Sequence, residues 1–263
     1  MRKRNLCISI VLLLSIVFLG AGLETLGLNT NLSGTWVMLQ VYPRIAILPI
    51  VGESTQTSYV VQFVSIEQDG TSLVMQDRYC FTVIEESSPL AATEIPDSFM
   101  RSLSPSLRFA ALSEQDGRMT FEQVNYLEIR GAVLANPEID ELPTDPEDSR
   151  VIDQDGDGFP GMTVHVNIFG LFQAQVYVVQ RVQYELSGEV ISGDRVEGLI
   201  RWNDEQVVLA ATSPLLLAES ESRQDPDPTK HRFLMLRAND DWTCEWLREQ
   251  WRVVFELEPA DEG

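Results

Sequence analysis

Asp153, Asp155 and Asp157 stand at alternate positions of the segment VIDQDGDGFPG (151–161), with Gly158 sixth when Asp153 is counted first. Three carboxylates within five residues repel one another unless they share a cation. A hard divalent ion such as calcium prefers oxygen ligands. Acids at positions 1, 3 and 5, a glycine at 6 for the sharp turn and a backbone carbonyl at 7 can wrap such an ion. Position 7 is Phe159, so the expected ligands are the carboxylates of Asp153, Asp155 and Asp157 and the Phe159 carbonyl. Asp145, Glu147 and Asp148, in the acidic stretch just before, are further candidates. The competing reading is a solvated acidic turn.

Gln-Asp-Gly occurs twice more, in EQDG at 67–70 and at 114–117, each time between alternating apolar runs. Asp-Gly in that setting marks a hairpin turn, because glycine takes the positive φ the turn needs. Only the third copy adds Asp153, Asp157, Gly158 and Gly161. That copy resembles the calcium loops of EF-hand, dockerin and thrombospondin type 3 repeats over about nine residues. It departs from the EF-hand at position 12, where Val164 replaces the bidentate acid, and in flanks that read as strand. The resemblance implies a structural calcium clip in the weak, ~0.1–1 mM class of extracellular modules.

The elements around it read mainly as strands. In AQVYVVQRVQYEL (174–186), Val176, Val178, Val182, Tyr184 and Leu186 share one face, with Gln180 as the single polar intruder. This period-two alternation predicts a half-buried strand. It is expected to continue to 195–202, after which NDEQ (203–206) should turn the chain; LSG at 32–34 and 186–188 should open strands. Runs at 58–66, 71–84, 106–112 and 118–134 follow the same plan. Short helices are expected at 95–103 and, capped by Asp241 or Thr243, at 240–255, with Trp242, Trp246 and Trp251 plugging or lying on the sheet. Long antiparallel strands with one apolar face suit a closed β-barrel. The expected layout is one mainly β domain at 31–258 carrying the acidic loop at 137–161. A signal segment (1–22), a linker (23–30) and an acidic tail (259–263) flank it.

Gly34-Thr35-Trp36 resembles the GxW that opens the first strand of lipocalins and related calycin barrels. In that resemblance the Trp closes one barrel end beneath a late-strand arginine, for which Arg201 and Arg237 are the candidates. A calycin-type barrel implies a small apolar or amphipathic ligand. The alternative is a core Trp in an unrelated barrel or sandwich.

The N-terminus pairs Arg2, Lys3 and Arg4 with an apolar run from Leu6 to Leu19 and small residues at 20–22, the pattern of an export signal. A retained anchor is the other reading. Cleavage after Gly22 would remove three positive charges and no negative ones, taking the formal charge from −21 to −24. Such acidity repels phosphate backbones and excludes a nucleic-acid partner. Beyond the signal segment no membrane-spanning helix is expected. Export also leaves Cys80 and Cys244 as an even pair in an oxidising compartment, where a disulfide is expected. The two histidines, His165 and His231, accompany no nucleophile motif, and 40 acids select no catalytic pair. The expected function is therefore non-enzymatic: an exported, calcium-binding barrel in the periplasm, at the cell surface or outside the cell, holding a small apolar molecule. A filled structural module that binds protein or glycan is the alternative, and a glycan hydrolase the third reading.

Overall fold

The computed structural model describes residues 30–48, 52–217 and 222–258. The expected signal segment, most of the linker and the tail lie outside them. The described chain is mainly β, with one large antiparallel sheet and two helices. Its strands are β1 (Gly34–Leu48), β2 (Gly52–Asp69), β3 (Ser72–Glu86), β4 (Ala91–Glu94), β5 (Leu107–Gln115) and β6 (Arg118–Arg130), then β7 (Met162–Ile168), β8 (Phe172–Ser192), β9 (Arg195–Ala211), β10 (Ser222–Gln224) and β11 (Arg232–Arg237). The helices are α1 (Asp97–Ser102) and α2 (Cys244–Val254). Both EQDG copies are hairpin turns, and Gly70 and Gly117 carry the positive φ expected of them.

Hydrogen-bonded pairing runs β8–β6–β5–β3–β2–β1–β11–β9, and β9 pairs back onto β8. The path thus returns to its start through eight strands. The ring is uneven, because β3 pairs with β5 only over Ser72–Gln76. Beyond that stretch α1 and β4 pack on β3, and β4 pairs with β7. On one edge, β8 takes β7 along its first third and β6 along its later part. Between those two strands the chain leaves the sheet as the 131–161 excursion, which carries the acidic loop. Gly131 and Gly161 pinch its base, both at positive φ. A Cβ on Gly131 would lie 2.7 Å from the Gly161 Cα.

Two expectations about strand ends are corrected. NDEQ does not turn the chain, since β9 runs unbroken through Asn203–Gln206 in register with Gln180–Gln183 of β8. Asp204 and Gln206 face the interior of the ring, where a cavity and an ion pair accommodate their polarity. Likewise Leu186-Ser187-Gly188 opens no strand but sits inside β8, whose pairing with β9 carries on to Ser192.

Several strands are buried on both faces, which is why their sequences are nearly continuously apolar. From β1, Trp36 and Met38 point into the ring, where they meet Phe121, Leu186, Ile200, Phe233 and Met235. Val37, Leu39 and Val41 point outward and lie under α2. Helix α2 starts where the Thr243 hydroxyl caps it by accepting from the Trp246 N–H at 3.2 Å, so Thr243 and not Asp241 is the cap. Cys244, Leu247 and Trp251 recur at helical spacing and fill the face it buries, with Phe255 just beyond. Each such large side chain contributes roughly 1.5–3 kcal/mol on burial. The helix therefore lies on the outside of the sheet and plugs nothing. Outside β8 and β9, Leu134 and Leu142 of the 131–161 excursion cover Val179 and Leu209.

Cys80 and Cys244 are at disulfide distance, with Cα atoms 5.1 Å apart. Cys80 is the extra residue of a bulge between Val61–Phe81 and Gln62–Tyr79, and it faces α2. The bond closes a loop of 164 residues, so its loss removes up to about 4–5 kcal/mol in the chain-entropy model. Replacing both cysteines by serine is expected to lower the denaturation midpoint without abolishing folding, because the Leu247–Trp251–Phe255 contacts remain. Urea titrations of the variant and the parent check this, and coincident midpoints would refute it.

Candidate ligand cavity and acidic loop

One end of the ring is sealed. Trp36 is fully buried there and its indole N–H donates to the Leu32 carbonyl at 2.7 Å. Of the two candidate arginines it is Arg237 that lies over the Trp36 ring, 4.5 Å from its centroid, as a cation–π partner. Arg237 also donates to the carbonyls of Asn31, Ser33 and Gly193 and pairs with Asp194 at 2.9 Å. It thereby ties the entry of β1 to the β8–β9 turn. Gly34 has a φ of 124°, and a Cβ there would sit 3.0 Å from the Arg237 guanidinium, which gives the glycine of the GxW its reason. Arg201 is elsewhere, on the exposed face of β9 beside Glu185.

Above this seal the interior crosses a layer of buried charge. Arg108 and Asp77 are both fully enclosed and form a two-pronged ion pair with both contacts at 2.5 Å, and Arg108 also donates to Gln123. Burial pushes the Asp77 carboxyl upward, against the opposing pull of Arg108. Pairs of this kind hold together only while both members are present.

Beyond the charged layer lies a cavity of about 360 Å³, reaching the end of the ring where β1, β3, β7 and β9 finish. Its walls are mixed: Val60 and Ile84 from β2 and β3, Met162 and Val166 from β7, Val176 and Val178 from β8, and Val208 from β9 stand among Ser58, Thr82, Thr93 and Gln206. Its floor is polar. Arg44 pairs with Asp204 at 2.6 Å, and Gln180 donates to the same carboxylate at 3.1 Å. The Tyr42 hydroxyl donates to Gln40 Oε1 at 3.0 Å, while the Tyr42 ring meets Trp202 edge-on at 5.4 Å. Apolar side chains with convergent polar groups are the usual make-up of a small-molecule site.

His231, buried beside Trp202, is committed to structure. The Trp202 indole N–H donates to His231 Nδ1 at 2.7 Å, which makes that nitrogen an acceptor. The proton is then on Nε2, which donates to the Asp225 carbonyl at 2.8 Å. His165 is exposed on β7 with Gln175 as its neighbour. Neither ring is placed for catalysis at the cavity floor.

The acidic loop projects from the base pinched by Gly131 and Gly161. Asp153, Asp155 and Asp157 converge, each offering an oxygen within 4.8 Å of the others. Backbone donors orient two of them. Asp153 accepts from the N–H groups of Asp157 and Gly158, and Asp157 accepts from the Phe159 N–H and the Thr163 hydroxyl. The Ser98 hydroxyl of α1 donates to Asp155, whose carboxyl is pushed upward by burial and by its two acidic neighbours. The Phe159 ring stacks on Tyr177, with centroids 4.6 Å apart. Asp145, Glu147 and Asp148 are not in this group. Asp148 is held by Arg150, which brings its carboxyl down to about 2, and Asp145 accepts from the Glu147 N–H. A triad of oxygens held this way offers hard-cation chemistry.

Reading the sequence alone missed the cavity floor, although its signal is in the strands. Gln40, Tyr42 and Arg44 alternate on the same face of β1 as Trp36 and Met38, Gln180 interrupts an apolar face of β8, and Asp204 and Gln206 do so on β9.

Replacing Arg108 by methionine leaves Asp77 buried without its partner and is expected to cost about 3–5 kcal/mol at neutral pH. A carboxyl whose folded-state pKa is raised above its unfolded value favours folding while protonated, and that contribution is lost as pH rises through the folded value. The deficit of Arg108→Met should therefore be smaller at pH 5 than at pH 8, which denaturant titrations at the two values would measure. A pH-independent deficit would contradict the assignment. Searches with this chain against family models, curated proteins and solved structures found no match in any of the three.

Proposed function

We propose that this protein is an exported β-barrel that binds a small apolar or amphipathic molecule, with a calcium ion clipping its acidic loop. The observation carrying the first part is the 360 Å³ cavity, lined by valine, isoleucine and methionine side chains with polar groups among them and at its floor, within a ring whose opposite end is sealed by Trp36 and Arg237. The arrangement of Trp36 under Arg237 supports the calycin resemblance of the GxW. Export is supported by the basic and apolar N-terminus and by the paired Cys80 and Cys244. A reading as an interaction module has one observation in its favour, the exposed tip of the β7–β8 hairpin, where Phe169, Leu171 and Phe172 face solvent.

Organic extraction of the purified protein and mass spectrometry should recover a bound apolar compound or, failing that, a fluorescent apolar probe should bind at one site. Val208→Trp, which fills the cavity from its wall, should remove that binding while leaving the unfolding transition in place. Binding that survives the substitution would place the ligand elsewhere.

For the ion, convergence of Asp153, Asp155 and Asp157 supports calcium bound in the ~0.1–1 mM class, completed by the Phe159 carbonyl and water. At about 10 mM calcium such a site adds roughly 1.4–2.7 kcal/mol, which raises the melting temperature by several degrees for a domain of this size. Asp155→Ala should abolish the rise. A melting curve indifferent to calcium would reject the ion and leave a solvated acidic turn.

A further inference from the structure

We infer that the cavity is built for an uncharged ligand whose inner end carries a hydrogen-bond acceptor, such as a ketone, ester or amide oxygen. The inference rests on the binding function proposed above and adds the chemistry of the ligand's head.

The charges around the floor are already matched. Arg44 pairs with Asp204, Arg130 with Glu128 at 2.7 Å, and Arg108 with Asp77. A carboxylate entering the cavity would gain Arg44 only by competing with Asp204, and an ammonium would meet the converse. An ion leaving water without an unmatched partner loses more by desolvation than it recovers. The floor therefore disfavours both signs of charge.

The hydrogen-bond inventory points to an acceptor. Tyr184 and Gln40 are buried and line the cavity, and the Tyr184 hydroxyl and Gln40 Nε2 have no hydrogen-bonding partner among the described residues. Gln40 lies close enough to Tyr184 to restrain the rise in the phenol's pKa, but an amide N–H has no lone pair to offer the phenol's proton. Turning the amide around does not help. Its single oxygen would then serve Tyr184 and no longer Tyr42, leaving the other phenol proton unmet. Burial drives both phenols upward, so both remain protonated donors. Buried donors without acceptors are costly. Both atoms are shut off from solvent in the structure, and a small turn of the two side chains toward the cavity lets a ligand oxygen satisfy them.

Four ten-carbon compounds test this by competition with a fluorescent apolar probe at neutral pH: decane, 2-decanone, decanoate and decylammonium. Two net hydrogen bonds predict 2-decanone binding roughly tenfold more tightly than decane, with both ions weaker than the ketone. Tyr184→Phe is expected to reduce the preference for ketone over decane to about threefold, with decane still bound. Gln40→Leu should do the same and guards against a folding defect in the first variant, with decane binding reporting an intact cavity in each. If decanoate or decylammonium matches the ketone, if decane matches it, or if both variants keep the full preference, the inference is overturned while the cavity remains a binding site. If neither the probe nor any of the four compounds binds, the binding function itself falls.

Discussion

The pairing of β8 with β9 is the interaction on which the remaining architecture depends. It runs from Val176–Ala211 to Ser192–Arg195 and joins the two ends of an otherwise open path of strands. Without it, one edge of β8 and one of β9 would present unpaired backbone groups to water. The apolar residues now enclosed by the ring would then face solvent as well. With it, one face of every ring strand becomes interior, and burial of Trp36, Phe121, Phe233 and Met235 can proceed without exposing a second edge. The outer face is then free to take additional layers, which it does under α2 and under the 131–161 excursion.

The interior is graded along the ring's axis. Aromatic and aliphatic side chains fill the sealed end, the Asp77–Arg108 pair crosses the middle, and polar groups floor a partly open cavity beyond. Asp77, Arg108 and Gln123 of the middle layer are linked across three strands. Asp77 is on β3, Arg108 on β5 and Gln123 on β6, so the network ties β3 to β5 just where their five-residue pairing ends. The floor makes the same kind of connection between β1 and β9 through Arg44 and Asp204. Polar side chains within the ring therefore serve both to align strands and to shape what the cavity can accept.

Much of the local structure was legible in the chain. The two EQDG turns, the alternating strands and the helix after Thr243 all follow from short-range pattern, because turn chemistry and side-chain period act over a few residues. That Cys80 and Cys244 would lie at disulfide distance was legible from the parity of the cysteines beyond the N-terminal run. What misled was polarity inside strands. Asn203–Gln206 reads as a turn because polar runs between apolar ones generally face water. Here Asp204 and Gln206 face the interior of the ring, and the partners of Asp204 come from β1 and β8, more than twenty residues away in sequence. Gln180 stood out as an intruder, yet only its contact with Asp204 reveals what it intrudes upon.

By itself the sequence determined the residue types and their periodicities: strands with an apolar face, a GxW near the start, three aspartates at alternate positions and an even cysteine pair after the N-terminal run. Tertiary structure alone decided that Arg237 rather than Arg201 covers Trp36, that α2 lies outside the sheet, and that Asp148 is taken up by Arg150 rather than turned toward the acidic triad. It also decided that Gln40, Tyr42, Arg44 and Asp204 meet around one space. The physical reason is the same in each case. Periodicity follows from backbone geometry within a strand or helix, whereas which charge meets which, and which polar side chain faces a cavity, follows from strand order and register set by long-range pairing.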